Sequence, residues 1–451
     1  MKKKGYYKDI LLLAYPISLG QLGNVLANMA DSVMLGNYDA NHLAACAFSF
    51  SIFITVLLFL MGFSIGITPL VSQSEGKGDT SGLAKIFKNG FVTNVSFGGI
   101  ALVVLGALYF LMPEMGQDKE VVELSQPYFI LLSLSLVPLI FYVYLRQFIE
   151  GFGLTKPAMY FSIISNALNV FLNWLFIWGN CGFDEMGVTG AGYATLISRV
   201  LLPLMIIGYF FRSKFLRSIV LRSLLIKVSL VECYKIIKLS FPISIQLTVE
   251  VFAFASAAIA IGTIGADELA AHQVAMILAS ISYIIMTGVG SAATIMVGHY
   301  IGQTHIGMLP QLARSVARIS LTFMGSMGVF FFLFRFELPH FFLSETDIDI
   351  ADVATNLLII TAIFQLPDGL QSVFLGVLRG MRDVWIPTVI TIVAYWVVSI
   401  PLGRLLAFNY GFGVIGIWLG LVGGLTLSAT FLYFRMQYKI NLLIRENGDS
   451  K

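Results

Sequence analysis

Charge is what this 451-residue chain has least of. Asp, Glu, Lys and Arg together make up 12% of it, against about 25% in an ordinary soluble domain. So few charges could not wet the surface of a soluble protein of this size. The charges that remain nearly cancel, at a net of +3, and they form no large basic face, which argues against a nucleic-acid binder. Low charge combined with 57% apolar residues also excludes disorder. Cysteine is scarce too. Cys46, Cys181 and Cys233 are scattered and odd in number, so neither a disulfide framework nor a metal cluster is expected. His272, His299, His305 and His340 fall near span ends or in loops, without the spacing of a metal site. Gly76-Lys77-Gly78 lacks the Gly-Lys-Ser/Thr sequence of a phosphate-binding loop, so no ATP-driven engine is encoded. No nucleophile–base set stands out, and an enzyme is not expected.

What the chain has is apolar length. A membrane-spanning helix needs about 20 apolar residues. Twelve stretches qualify, at roughly 10–35, 43–72, 91–112, 125–148, 157–178, 189–211, 239–263, 269–301, 315–335, 352–378, 386–408 and 414–434. They exceed the strand-length segments of a membrane β-barrel and lack its alternation. The expected fold is an all-α polytopic membrane protein. The opening MKKKGYYKDI is followed by no small-residue cleavage site, so it reads as the start of the first span and not as a cleaved signal.

The bases sort by side. Segments 1–9, 74–89, 146–157, 212–238, 303–318, 379–383 and 435–451 hold 24 of the 28 Lys and Arg. The opposite loops hold one, Lys119, and carry acids instead: Glu114, Asp118, Glu120, Glu123, Glu345, Asp347 and Asp349. Lys and Arg gather in cytoplasmic loops, which places both termini in the cytoplasm and the chain in the plasma or inner membrane.

The chain repeats itself. LAYPISLGQLGNVLANMA from Leu13 aligns without a gap on LSFPISIQLTVEVFAFAS from Leu239, pairing Pro16 with Pro242 and Ser18 with Ser244. The same offset of 226 pairs Gly36 with Gly262 and Gly62 with Gly288, and an offset of 229 pairs Pro138 with Pro367. The expected organisation is an N-terminal six-helix lobe over 1–211, a cytoplasmic linker over 212–238 and a C-terminal six-helix lobe over 239–451. Six is even, so the two bundles enter the membrane in the same sense and are related by a parallel pseudo-twofold axis. Two such bundles facing one another would leave a cleft, which suits a transporter.

A few ionisable groups lie deep in the spans: Asp31, Glu250, Asp368, Arg199 and Arg404. A charge at the bilayer centre costs about 3 kcal/mol on insertion scales, so such residues usually face a cavity or a partner. Gln21, Asn24, Asn28 and Asp31 follow one another at helical spacing and share a face of the first span. Ser162, Asn166, Asn169 and Asn173 do the same in the fifth. The seventh span has Gln246 and Glu250 one turn apart, and the tenth has Thr361, Gln365, Asp368 and Ser372. One carboxylate among amide oxygens suits Na+, which prefers hard oxygen ligands. A buried carboxylate can equally hold a proton. Gln21, Asn24, Asn28, Gln246 and Gln365 are polar candidates for lining a cleft. Glu250 aligns with Asn24 and not with Asp31, so the two halves place their acids at different depths. Arg199 and Arg404 lie toward the outer ends of their spans, where snorkelling or pairing with an outer acid is expected.

These residues resemble the MATE (multidrug and toxic compound extrusion) family, in its NorM-type branch. The resemblance rests on AYPISLGQL at 14–22, MADSVMLG at 29–36, ELAAHQVA at 268–275, VGHYIGQ at 297–303, LRGMRDVWIPT at 378–388 and YWVVSIPLG at 395–403. It covers all twelve spans. It implies two six-helix lobes that alternate between outward-open and inward-open states. Na+ or H+ would enter while cationic drugs or dyes leave. The resemblance carries the cation-binding role to Asp31, Asn169, Asn173, Glu250 and Asp368. Proton-coupled DinF-type relatives generally lack the second-lobe acids, which tilts the coupling ion toward Na+. No other cofactor, no nucleic acid and no obligatory protein partner is expected, and a monomer suffices. Within the same superfamily the alternative is a flippase for a lipid-linked or amphiphilic substrate. Its anionic headgroup would call for a cationic cleft, not for deep acids.

Overall fold

The computed structural model describes residues 5–343 and 348–448. Glu345 and Asp347 of the acid-bearing loops, Lys2–Lys4 and the last three residues lie outside the described residues. The described chain is helical and contains no strand. Twelve helical stretches of 23 to 37 residues are long and apolar enough to cross a membrane. Without water, backbone polar groups must pair within the chain, and continuous helices do this.

The chain divides into two compact units, Leu19–Ser244 and Met1–Ser18 with Ile245–Lys451. The division falls inside two long helices, α1 (Gly5–Tyr38) and α9 (Leu230–Gly262). Each carries an internal proline shortly before the boundary, Pro16 and Pro242. The repeat therefore shapes an exchange. The start of α1 joins the second unit and the start of α9 joins the first.

The first unit is completed by α2 (Ala40–Ile65), α3 (Ile67–Gly76), α4 (Thr80–Leu111), α5 (Lys119–Glu150), α6 (Thr155–Ile177), α7 (Gly187–Arg212) and α8 (Lys214–Leu224). Asp39 caps α2, accepting from the backbone N–H of Asn41 at 2.8 Å and of His42 at 3.2 Å. Leu35, Phe53, Leu105, Phe129, Leu132 and Ile177 fill its core. At Gly62 of α2 a Cβ would stand 2.6 Å from the Cα of Ser244 on α9. Only a glycine lets the two backbones approach so closely.

The second unit is completed by α10 (Ala266–Gly302), α11 (Leu309–Leu333), α12 (Ile348–Gly380), α13 (Trp385–Ile392), α14 (Ile400–Arg404) and α15 (Gly413–Gly448). The span that contains α13 and α14 departs from α-helical winding. It is wound as a π-helix over Val393–Ser399 and again over Leu405–Asn409. Ile10 and Ala14 of α1 pack with Val289, Ala292, Leu378 and Leu432. The exchange is mirrored here. A Cβ on Gly288 of α10 would collide with the Ser18 hydroxyl and stand 2.9 Å from the Ala14 carbonyl oxygen of α1. Gly62 with Ser244 and Gly288 with Ser18 are the same contact by the repeat, with the partner helices exchanged.

Three charges sit differently from their sequence reading. Arg146 and Arg379 were expected in loop segments. Arg146 lies within α5, buried and paired with Glu150 at 2.6 Å. Arg379 lies in the last turn of α12 and donates to Gln246 at 3.0 Å. Arg335 lies just past α11, its guanidinium 4.6 Å from the Phe332 ring centre and 4.3 Å from that of Phe336. The loops assigned a single base therefore carry a second, held by aromatic faces.

Candidate functional site

The two polar stripes expected in the first unit meet. Asn24 Oδ1 on α1 accepts from Ser162 Oγ at 2.8 Å and from Asn166 Nδ2 at 3.0 Å on α6. Two turns further along α1, Asp31 Oδ1 accepts a hydrogen bond from Asn173 Nδ2 of α6. The helices thus zip through their amides, and the one carboxylate lies at the far end of the zipper. Asp31 is half-buried, while Asn169 and Asn173 are buried. Asn28 is exposed.

These groups line one cavity of about 230 Å³ inside the first unit. Asn24, Asn28, Asp31, Asn166 and Asn169 all reach it. So do Tyr128 and Thr195, which the sequence reading did not single out. They come from α5 and α7, and on α7 Thr195 shares a face with Ser198 and Arg199, a polar stripe at helical spacing that the sequence also carries. Tyr128 accepts from the Cys46 thiol at 3.4 Å.

Arg199 does not snorkel outward. It lines the same cavity as Asp31, and its Nη1 donates to Ser135 Oγ at 2.7 Å. Its guanidinium lies 5.2 Å from the Phe53 ring centre. A cation thus already stands in the field of Asp31, held by a hydroxyl and a ring face instead of by the acid itself. Arg404, by contrast, is exposed. Gln21 lies half-buried on α1 and is not part of this cavity.

The second unit brings its acids into a different setting. Glu250 of α9 is buried at 6% exposure, and Asp368 of α12 at 3%. Glu250 Oε1 accepts from Gln371 Nε2 at 3.2 Å and from the Tyr395 hydroxyl at 3.2 Å. Gln371 Nε2 also donates to the Tyr395 hydroxyl oxygen at 3.0 Å, so the three side chains close a triangle. Trp396, next to Tyr395, donates its indole N–H to the Val249 carbonyl at 3.2 Å. The π-helical stretch is thereby fastened to α9 beside the acid, where such winding often marks function.

Gln246, one turn before Glu250, donates to Thr391 Oγ1 at 3.0 Å and accepts from Arg379 Nη2 at 3.0 Å. Arg379 is the cation whose field reaches Glu250. Gln365 accepts from Ser282 Oγ at 2.8 Å. Thr361 turns back to its own helix, donating to the Leu357 carbonyl at 2.9 Å. His272 is buried in α10 with its ring edge-on to Trp418, 5.7 Å between centres.

The sequence stripe on α12 runs through Thr361, Gln365 and Asp368 to Ser372, four residues past the acid. The side chain that reaches Glu250 is Gln371, three residues on. Both positions share a face with Asp368, and the distance to α9 decides between them. Tyr395 carried no helical-spacing signal because the π winding shifts its register.

Taken together, each unit offers an acid among polar side chains: Asp31 with Asn169, Tyr128 and Thr195, and Glu250 with Gln371, Tyr395 and, within its field, a second acid, Asp368. Such oxygen-rich pockets around a carboxylate are chemically suited to a hard monovalent cation or a proton.

Comparison with known proteins agrees with this architecture. The MatE family model matches residues 16–175 and again 242–405, two copies that begin at Pro16 and Pro242. A "Probable multidrug resistance protein NorM" of Rhizobium meliloti is 31% identical over 433 residues, covering 95% of this chain and 93% of that protein. A protein of the same description from Halalkalibacterium halodurans is 31% identical over 459 residues, covering 100% of this chain and 99% of its own. Among solved structures, a MATE protein in its bent conformation superposes with a TM-score of 0.89 at 20% identity, over 99% of this chain and 98% of that one. The twelve spans, the internal repeat and these full-length matches have one explanation: the chain is a multi-pass membrane protein and belongs to the MatE family.

Proposed function

We propose that the protein is a multidrug efflux transporter that exchanges Na+ or H+ for cationic, amphiphilic drugs or dyes across the cytoplasmic membrane. The observation that carries this reading is the pair of acid sites, half-buried Asp31 in one unit and buried Glu250 with Asp368 in the other, in a chain whose relatives are named multidrug resistance proteins. An acid in lipid is retained where it binds a cation. Asp31 with Asn169 and Asn173 forms one cation site, and Glu250 with Asp368 forms the other. Gln21, Asn24, Asn28, Gln246 and Gln365 supply polar surface around them. Both termini face the cytoplasm, where the bases of the linker meet anionic lipid headgroups.

Exchange follows from competition. An inward-moving cation neutralises the acids and removes the charge that holds a cationic drug. Release of the cation on the inner side restores that charge. Binding of one ligand then opposes binding of the other, which is a negative coupling free energy between them. Na+ is favoured over H+ on the resemblance to NorM-type proteins, whose second-lobe acids match Glu250 and Asp368.

Ethidium efflux from vesicles, with Na+ and pH gradients imposed separately, tests this reading. Export driven by an inward gradient of either ion is expected. Asp31→Asn and Glu250→Gln should each abolish it at normal expression. Export indifferent to both gradients, or full export by both variants, would sink the proposal. Stimulation by an anionic lipid-linked substrate instead would point to a flippase.

A further inference from the structure

Two acids in this protein are met by an amide in the same manner. Asn173 Nδ2 donates to Asp31, and among the described residues Asn173 Oδ1 is buried without a hydrogen-bond partner. Gln371 Nε2 donates to Glu250, and Gln371 Oε1 is likewise buried without a partner. Gln371 is 1% exposed and Asn173 0%. The repeat did not copy this arrangement. At the offset of 226, Asn173 aligns with Ser399, and at 229, Gln371 aligns with Tyr142. The same chemistry stands at unrelated positions of the two halves.

An amide suits an acid that alternates between bare and cation-loaded. A bare carboxylate only accepts, so it needs N–H or O–H donors. The lone pairs that turn to a cation no longer do, because donor hydrogens there would point at positive charge. Rotation of a primary amide exchanges its nitrogen for its oxygen at nearly the same place. The orientation seen here, nitrogen toward Glu250, serves the bare acid and leaves the amide oxygen orphaned. The reverse orientation would give that oxygen a cation to coordinate. The Tyr395 hydroxyl has the same dual capacity, since it both donates to Glu250 and accepts from Gln371.

We propose that Gln371 is a ligand of the coupling cation in the second unit, turning its Oε1 to the ion when Glu250 and Asp368 bind it. This rests on the reading above that those two acids bind the cation. In the loaded site, the two carboxylates supply charge and the amide oxygen supplies a neutral ligand. In the bare site, the amide nitrogen and the Tyr395 hydroxyl hold Glu250 in place. Gln371 is then read by both states through opposite ends of one group.

Equilibrium binding of 22Na+ to the purified full chain in nanodiscs tests this. An Asp31→Asn background confines binding to the second unit. Gln371→Met keeps the side-chain length and removes both polar atoms, and should weaken Na+ binding about tenfold or more. Gln371→Glu keeps an oxygen and adds charge, and should bind Na+ at least as tightly as the parent at pH 8. A packing role would make both variants weaker. Should Gln371→Met fail to fold, Gln371→Asn, which withdraws the amide by one methylene, carries the same expected weakening. Met or Asn binding within twofold of the parent, or Met and Glu weakened alike, overturns the proposal. Glu250→Gln separates the two levels. If it abolishes binding while the Gln371 variants bind normally, only this inference fails. If Glu250→Gln binds normally, or the parent shows no saturable binding, the cation site itself is wrong and this inference falls with it.

Discussion

Arg146 and Glu150 offer a clean measure of what burial does to an ion pair in this protein. They are one turn apart on α5, with 2.6 Å between Nε and Oε1 and side chains only 9% and 4% exposed. Lys119 and Glu123 have the same spacing on the same helix, but stand 3.7 Å apart with side chains 92% and 68% exposed. An exposed pair of this spacing contributes about 0.3–0.5 kcal/mol. Breaking a buried pair from one side costs about 3–5 kcal/mol, because the remaining charge is left without a partner. Glu150→Leu is therefore expected to destabilise the protein by about 3 kcal/mol, the low end, since Arg146 borders the cavity of the first unit and water there can partly solvate it. Glu123→Leu should cost at most about 0.5 kcal/mol. The double variant Arg146→Met, Glu150→Leu should recover most of the loss, because it leaves no buried charge behind. Reversible unfolding in mixed micelles, followed by tryptophan fluorescence, of the parent, Arg146→Met, Glu150→Leu and the double variant gives the four free energies of the cycle. If Glu150→Leu costs less than about 1 kcal/mol, the pair is hydrated and the reasoning fails. It fails equally if the double variant is as unstable as the single one.

Two further outcomes are expected. Gly62→Val and Gly288→Val should each destabilise by about 1–3 kcal/mol through overpacking against Ser244 and Ser18, measured in the same unfolding assay, and markedly unequal effects would contradict the mirrored contact. Asn24→Leu should cost about 1–3 kcal/mol by leaving the Asn166 amide without its acceptor. Ser162 retains the Gly20 carbonyl at 3.3 Å, so Asn24→Leu with Asn166→Leu should restore stability where a loss of packing alone would not.

Much of this is legible in the sequence. Twelve spans follow from apolar length, and the repeat from matching prolines and glycines. The α1 and α6 stripes predicted their own contact, because helical spacing places amides on one face and lipid offers them no other partner. What was left unread was a third polar stripe. Thr195, Ser198 and Arg199 share one face of α7 and line the Asp31 cavity, and Tyr128 enters it from α5. Arg146 looked like a loop charge because α5 runs further than its apolar core. On α12, Gln371 and Ser372 were equally good by periodicity, and only the approach of α9 selects the first. Tyr395 was hidden by winding, since π turns break the pattern that a 3.6-residue period assumes.

The exchange of helix starts has a consequence for the order in which the protein can be built. The first unit is not complete when its own half of the sequence has been made. It also needs the start of α9, up to Ser244. The second unit needs Met1–Ser18, which must wait while all of Leu19–Ser244 is synthesised. Neither half can finish folding before the other has begun, and contacts this distant in sequence form late. During synthesis the start of α1 is therefore an apolar segment without its final neighbours. The two units depend on one another in time, and a chain cut in the segment between them would yield fragments that complete each other only when made together.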